Sequence, residues 1–138
     1  MINDVAFQDI KLGDTAELSK TISEADVYAY AGLSMDFNPL HVDEEFSRTT
    51  RFGRRIAHGM LSAGLISAVI GTALPGKNSI YLGQTLKFTA PVFIGDTLTA
   101  RAEVIEKRED KGILKLKTTV FNQKKETVIE GEATVMKK

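Results

Sequence analysis

Asp36, Asn38 and His41 stand within six consecutive positions of the stretch "SMDFNPLHVDEE", residues 34–45, with Pro39 among them. A carboxyl and an imidazole have ordinary pKa values of about 3.9 and about 6.5, so the two together can take a proton from water and return one. Five residues apart across a proline turn, both side chains can hold a single water molecule. Pro39 fixes its own φ and biases Asn38 to an extended backbone. An Asn side chain at that point can bond nearby backbone and hold the turn, which makes Asn38 and Pro39 scaffold. In isolation the same residues build an ordinary turn, and a lone histidine is more often structural. Nothing in the spacing says which of Asp36 and His41 takes the proton and which returns it.

A second pattern, "AHGM" at residues 57–60, opens the uncharged segment "HGMLSAGLISAVIGT", residues 58–72. The first N–H groups of a helix have no internal partner and sit at the positive end of its dipole. Gly59 at that end allows a ligand oxygen to approach closely, so its backbone N–H is a workable donor to an oxygen that gains negative charge. His58 reads most simply as a neutral, satisfied histidine at the helix start, and it is not assigned the proton. Occurring together, the two patterns favour proton transfer over turn building for Asp36 and His41.

Those residues need elements to hold them. Residues 14–22 alternate loosely, as a first strand does. Ser23 with Asp26 three residues later is a capping-box start, and Val27, Tyr28, Tyr30 and Ala31 supply helical spacing, which predicts a helix over 24–32. A short helix is expected at 43–48. Residues 58–72 are apolar on every face of the helical wheel, and a helix of that kind is expected to be buried all round. Its small residues Gly64, Ser67, Ala68 and Gly71 let another element, most simply a sheet, approach closely. "LPGK" at 74–77 ends it.

Four strand-like runs come after it, at 79–88, 96–108, 112–123 and 126–137. Leu98, Ala100, Ala102 and Val104 alternate with polar residues, as do Leu114, Leu116, Thr118 and Val120. One apolar and one charged face means a half-buried antiparallel sheet. "REDKG" and "NQKK" are short enough for hairpins. The expected fold class is α+β, a long antiparallel sheet wrapped round a central buried helix, with residues 1–138 as one domain. Its edges invite pairing, so a homodimer is expected.

Composition removes other classes. The 18 basic and 18 acidic side chains cancel, and no basic stripe of the kind nucleic acid needs is present. Without cysteine there is no disulfide framework or thiolate chemistry, and two histidines support a metal site poorly. The longest apolar run, about 16 residues broken by Gly and Ser, falls short of the roughly 20 that span a bilayer. The first residues, "MINDVAFQDIKLGD", lack a basic-then-apolar leader, so a cytoplasmic protein without a membrane partner is expected.

"DFNPLH", with "FGRRIAHGM" after it at 52–60, resembles the MaoC-like hydratases of the hot-dog fold, and most closely the (R)-specific enoyl-CoA hydratases. Those proteins carry Asp-x-Asn-Pro-x-His in a loop before the central helix, then an apolar residue, any residue and His-Gly at its start. "LPGKNSIYLGQTLKFTAPVFIGDTL", residues 74–98, is similar to the segment after that helix in single-domain members, and the resemblance covers roughly residues 8–136. Met35 departs from it, since many members have Gly immediately before the Asp. The resemblance implies reversible syn addition of water to a trans-2-enoyl-CoA, giving the (R)-3-hydroxyacyl-CoA. It implies Asp36 and His41 as the acid/base pair and the Gly59 N–H as donor to the thioester oxygen. No cofactor is implied, because coenzyme A is part of the substrate.

An acyl chain needs an apolar slot, for which Ala63, Ser67 and Ile70 on the central helix are candidates. Arg51, Arg54, Arg55 and Lys77 are candidates to meet the CoA phosphates. A hot-dog thioesterase is the nearest competing enzyme. It usually places a carboxylate on or against the central helix, and 58–72 contains neither Asp nor Glu. The same absence counts against bacterial acyl-carrier-protein dehydratases. A non-catalytic acyl-CoA-binding subunit would need neither Asp36 nor His41.

Overall fold

The computed structural model describes all of residues 1–138. Its strands are β1 (Thr15–Thr21), β2 (Ser79–Gln84), β3 (Lys87–Phe88), β4 (Thr97–Arg108), β5 (Ile113–Phe121) and β6 (Thr127–Lys137). Its helices are α1 (Glu24–Ser34), α2 (Pro39–Val42), α3 (Glu44–Arg48) and α4 (Gly59–Thr72). The strands form one six-stranded sheet in the order β1-β4-β5-β6-β2, with the short β3 also on β6, and every pairing is antiparallel.

Alternation builds the inner face. Leu98, Ala100, Ala102 and Val104 of β4 are buried, as are Leu114, Leu116 and Val120 of β5, while Lys115 and Lys117 point to solvent. Against that face α4 packs Leu65, Ile66, Val69 and Ile70, and all of these belong to one apolar core. The Ser23–Asp26 capping box forms as expected and starts α1.

Three expectations are corrected. The run 79–88 is not one strand, because it breaks at Thr85 and Leu86. The cause lies across the sheet at Gly131 of β6: a Cβ there would stand 1.8 Å from the Thr85 carbonyl oxygen, so that carbonyl occupies the space a side chain would fill. Thr85 pairs with Glu132 through its N–H and its hydroxyl, and the Gln84 amide spans to Thr118. The stretch around Pro39 is not only a turn, since Pro39–Val42 form a short helix with Pro at its first position. Finally, α4 is not buried all round in the single chain. Met60, Gly64, Ser67 and Gly71, at helical spacing, form an open uncharged stripe on the side away from the sheet.

Candidate active site

The loop that carries Asp36 begins where α1 ends. Met35 caps α1 in the left-handed region at φ 67°, a conformation that costs a non-glycine residue on the order of 1 kcal/mol. The Ser34 hydroxyl donates to the Tyr30 carbonyl at 2.8 Å and accepts from the Asp36 N–H at 3.1 Å. One Asp36 carboxylate oxygen accepts from the Asn38 N–H, and the Asn38 side chain in turn accepts from the Leu40 N–H, each at 3.1 Å. Asn38 thereby caps α2, and α2 turns His41 inward. Scaffold is therefore the observed place of Asn38 and Pro39, neither of which borders the neighbouring cavity.

His41 is buried, and its Nδ1–H donates to the Ile56 carbonyl at 2.7 Å. A carbonyl only accepts, so that bond places the proton on Nδ1 and leaves Nε2 with its lone pair. Burial pushes the His41 pKa below the ordinary imidazole value. The Ile56 bond opposes that shift, the neighbouring His58 adds to it and Asp36 opposes it. The result is an imidazole held neutral with a bare acceptor nitrogen.

At the start of α4 the N–H groups of Leu61 and Ser62 both bond to the His58 carbonyl. The N–H groups of Gly59 and Met60 precede the helical ladder and stay outside it. A Cβ added at Gly59 would meet the Phe88 ring at 2.7 and 2.8 Å. A side chain at this position therefore needs the half-exposed Phe88 ring, which roofs the helix start, to shift. Gly59→Ala is expected to push Phe88 aside and to lower turnover by up to about 10²-fold through misplacement of the helix start. Steady-state kinetics on folded Gly59→Ala protein checks this.

Asp36, His41 and Gly59 border one cavity of about 430 Å³. Its apolar wall is Phe52, Phe88, Ala90, Val92, Val128 and Ile129. Ala63, Ser67 and Ile70, expected to line an acyl slot, do not border it: Ile70 is packed into the core and Ser67 lies on the open stripe of α4. The wall comes from Phe52 before α4, from β3 and the segment after it, and from β6, with Gly59, Met60 and Ser62 of the first turn of α4 also at the cavity. The β3 and β6 residues are far from α4 in sequence, and no local pattern points to them.

Of the four basic candidates, Arg51 borders the cavity. Arg54 lies over the Phe93 ring at 3.8 Å. Arg55 is corrected outright: its guanidinium bonds to Glu24 of α1, Glu44 of α3 and the Tyr28 hydroxyl, and its side chain is only 10% exposed. Those bonds hold Arg55 firmly protonated, Glu24 foremost, and they hold the Glu24 carboxyl below its usual range. Arg55 clasps the helices that carry the loop and is not free for phosphates. Lys77 is exposed and does not border the cavity.

His58 is the residue sequence reasoning undervalued. Its ring is 2% exposed, stacked on His41 with centroids 3.9 Å apart and tilted against Tyr30 at 4.8 Å. Its Nε2–H donates to the Asp36 main-chain carbonyl at 2.9 Å. It is not fully satisfied, because its Nδ1 and the Ser62 hydroxyl are buried with no hydrogen-bond partner in the protein. Asp36, His41 and His58 each offer one donor atom within 4.8 Å of the others, which is where a cation would find ligands in this site. One nitrogen of each ring is already committed to a main-chain carbonyl. The signal that could have raised His58 was the His-Gly pair itself, read for its glycine alone.

The sequence profile of the family described as "MaoC like domain" matches residues 8–127. The (R)-specific enoyl-CoA hydratase of Rhodospirillum rubrum is 58% identical over 130 residues, which cover 94% of this chain and 90% of that protein. The protein of the same name from Aeromonas caviae is 52% identical over 128 residues, covering 93% of this chain and 96% of that one. Among solved structures, the unliganded R-hydratase PhaJ1 from Pseudomonas aeruginosa superposes with a TM-score of 0.94 at 46% identity, covering 99% of this chain and 87% of that chain.

Proposed function

The chain belongs to the MaoC-like family and has its hot-dog fold, and from that premise we propose that it is an (R)-specific 2-enoyl-CoA hydratase, a hydro-lyase that adds water reversibly to trans-2-enoyl-CoA. The observation that carries the reading is the meeting of Asp36, His41 and the free Gly59 amide at one apolar-walled cavity. Binding alone would need no proton-transfer pair there.

The geometry supports a definite sequence of events. Water held between the Asp36 carboxylate and the bare Nε2 of His41 attacks Cβ of the enoyl thioester, and its oxygen forms the new C–O bond. One water proton passes to the pair, and the π electrons move through Cα onto the thioester oxygen. The Gly59 N–H, at the positive end of α4, stabilises the charge that develops on that oxygen. The pair then returns a proton to Cα on the same face, the thioester carbonyl re-forms, and the product is the 3-hydroxyacyl-CoA. Proton and electron counts close without a cofactor. The apolar wall takes the acyl chain, and Arg51 at the cavity border meets the anionic part of coenzyme A.

The working unit in this reading is a homodimer. The open stripe of α4 is uncharged, and β2 forms one edge of the sheet with Ile80, Tyr81 and Leu82 exposed. An apolar edge strand of that kind favours pairing with a second copy. Sedimentation is expected to give about twice the 15.1 kDa chain mass. A monomer at micromolar concentration overturns the dimer and leaves the chemistry standing.

The test of activity uses crotonyl-CoA and a saturated acyl-CoA side by side. The conjugated-enoyl absorbance is expected to fall with crotonyl-CoA, and no free thiol is expected from either thioester. Thiol release from the saturated thioester with a flat enoyl trace makes the protein a thioesterase. Flat traces in both, across several chain lengths, make it a binding subunit.

A further inference from the structure

His58 touches every part of the site, although its side chain takes no part in the proton transfers. Its Nε2–H holds the main chain of Asp36 at 2.9 Å. Its ring face supports the ring of His41 at 3.9 Å, with an interplanar angle of 29°. Its own main chain is the N-cap of α4, and its carbonyl takes the Leu61 and Ser62 amides, which aims those of Gly59 and Met60 outward. The Asp36 loop, the His41 ring and the Gly59 amide come from three separate elements, and His58 is bonded or stacked to all three.

The hydrogen on Nε2 is fixed by its partner. The Asp36 carbonyl can only accept, so Nε2 carries hydrogen. The groups facing the ring are Tyr30 of α1, His41 of α2 and the Asp36 main chain, and none of these contacts supplies a bond to Nδ1. A ring with hydrogen on Nε2 satisfies the geometry.

We propose that His58 is a positioning residue that sets the Asp36 loop through its Nε2–H bond, so that the Asp36 carboxylate and His41 Nε2 close on one water. The inference rests on the hydratase reading, and wild-type activity on crotonyl-CoA, measured first, separates failure of that reading from failure of this one. Two variants then divide the role of the ring from that of the bond. His58→Phe keeps a flat ring between Tyr30 and His41 and removes the donor. His58→Gln loses the ring and keeps a side-chain N–H near the place of Nε2.

His58→Phe is expected to lose roughly 10²-fold in kcat by misplacing the loop, with KM within about twofold because substrate contacts are retained. His58→Gln is expected to recover kcat to within about tenfold of wild type. Circular dichroism and thermal melting confirm folding of each variant. A residue that only fills space would show the opposite order, with Phe the better replacement. Near-wild-type kcat in folded His58→Phe, or equal losses in the two variants, overturns the proposal. Nitrogen NMR of the wild-type protein is independent of either variant's folding. It is expected to show His58 as the Nε2–H tautomer, and an Nδ1–H tautomer, which cannot donate to the Asp36 carbonyl, overturns the proposal as well.

Discussion

Asp36→Asn protein is expected to fold normally and to lose roughly 10²–10⁴-fold in turnover, the range for removing a positioned acid or base. The two properties separate because they rest on different atoms. The turn uses a carboxylate oxygen as acceptor for the Asn38 N–H and the main-chain carbonyl as acceptor for His58. An asparagine keeps an acceptor oxygen and the same main chain, so stability should shift by about 1 kcal/mol or less, the worth of one altered hydrogen bond. What it loses is the group that exchanges a proton with water. Denaturant unfolding together with steady-state kinetics on one preparation reads both quantities. Near-normal hydration by folded Asp36→Asn protein would make the loop a turn and nothing more.

His41→Ala is expected to fall by a similar factor, because the bare Nε2 is the other half of the water site. The double variant with Asp36→Asn should lose far less than the product of the two effects, since residues acting as one unit are not additive. The wild-type pH profile adds a signed expectation. Activity in this scheme needs neutral His41, and burial depresses its pKa. The acid limb of kcat/KM is therefore expected below the ordinary imidazole value, with activity held down to that point and lost as pH falls through it. Stability tracks the same group. Between the ordinary value and the depressed one, the unfolded chain binds a proton that the folded chain refuses, so stability falls with falling pH across that window. An acid limb above the ordinary imidazole value would contradict a depressed His41 acting as acceptor.

The parts of the molecule that declare themselves locally were legible in the sequence. β4, β5 and β6 were visible because each alternates apolar and charged residues along its own length, and the start of α1 was visible because Ser23 and Asp26 cap it within one turn. Asp36 and His41 were legible because loop chemistry is compressed into six positions. The hidden parts depend on partners distant in sequence. The break after Gln84 is caused by Gly131 on β6. The anchoring of Arg55 is caused by Glu24 and Glu44 on other helices. The cavity is assembled from the segment before α4, the first turn of α4, β3 with the segment after it, and β6, which no single stretch of sequence displays. A four-residue helix such as α2 is too short to show any period. An uncharged helix face reads the same whether it meets a sheet or is left open, and α4 does both.

The most direct test of the central claim is the configuration of the product formed from crotonyl-CoA, read by enantioselective analysis of the released 3-hydroxybutyrate. The expected result is the (R) product alone, formed by wild-type protein at a rate that Asp36→Asn cannot approach. An (S) product, or a racemate, would contradict the assignment even if the enoyl absorbance disappears.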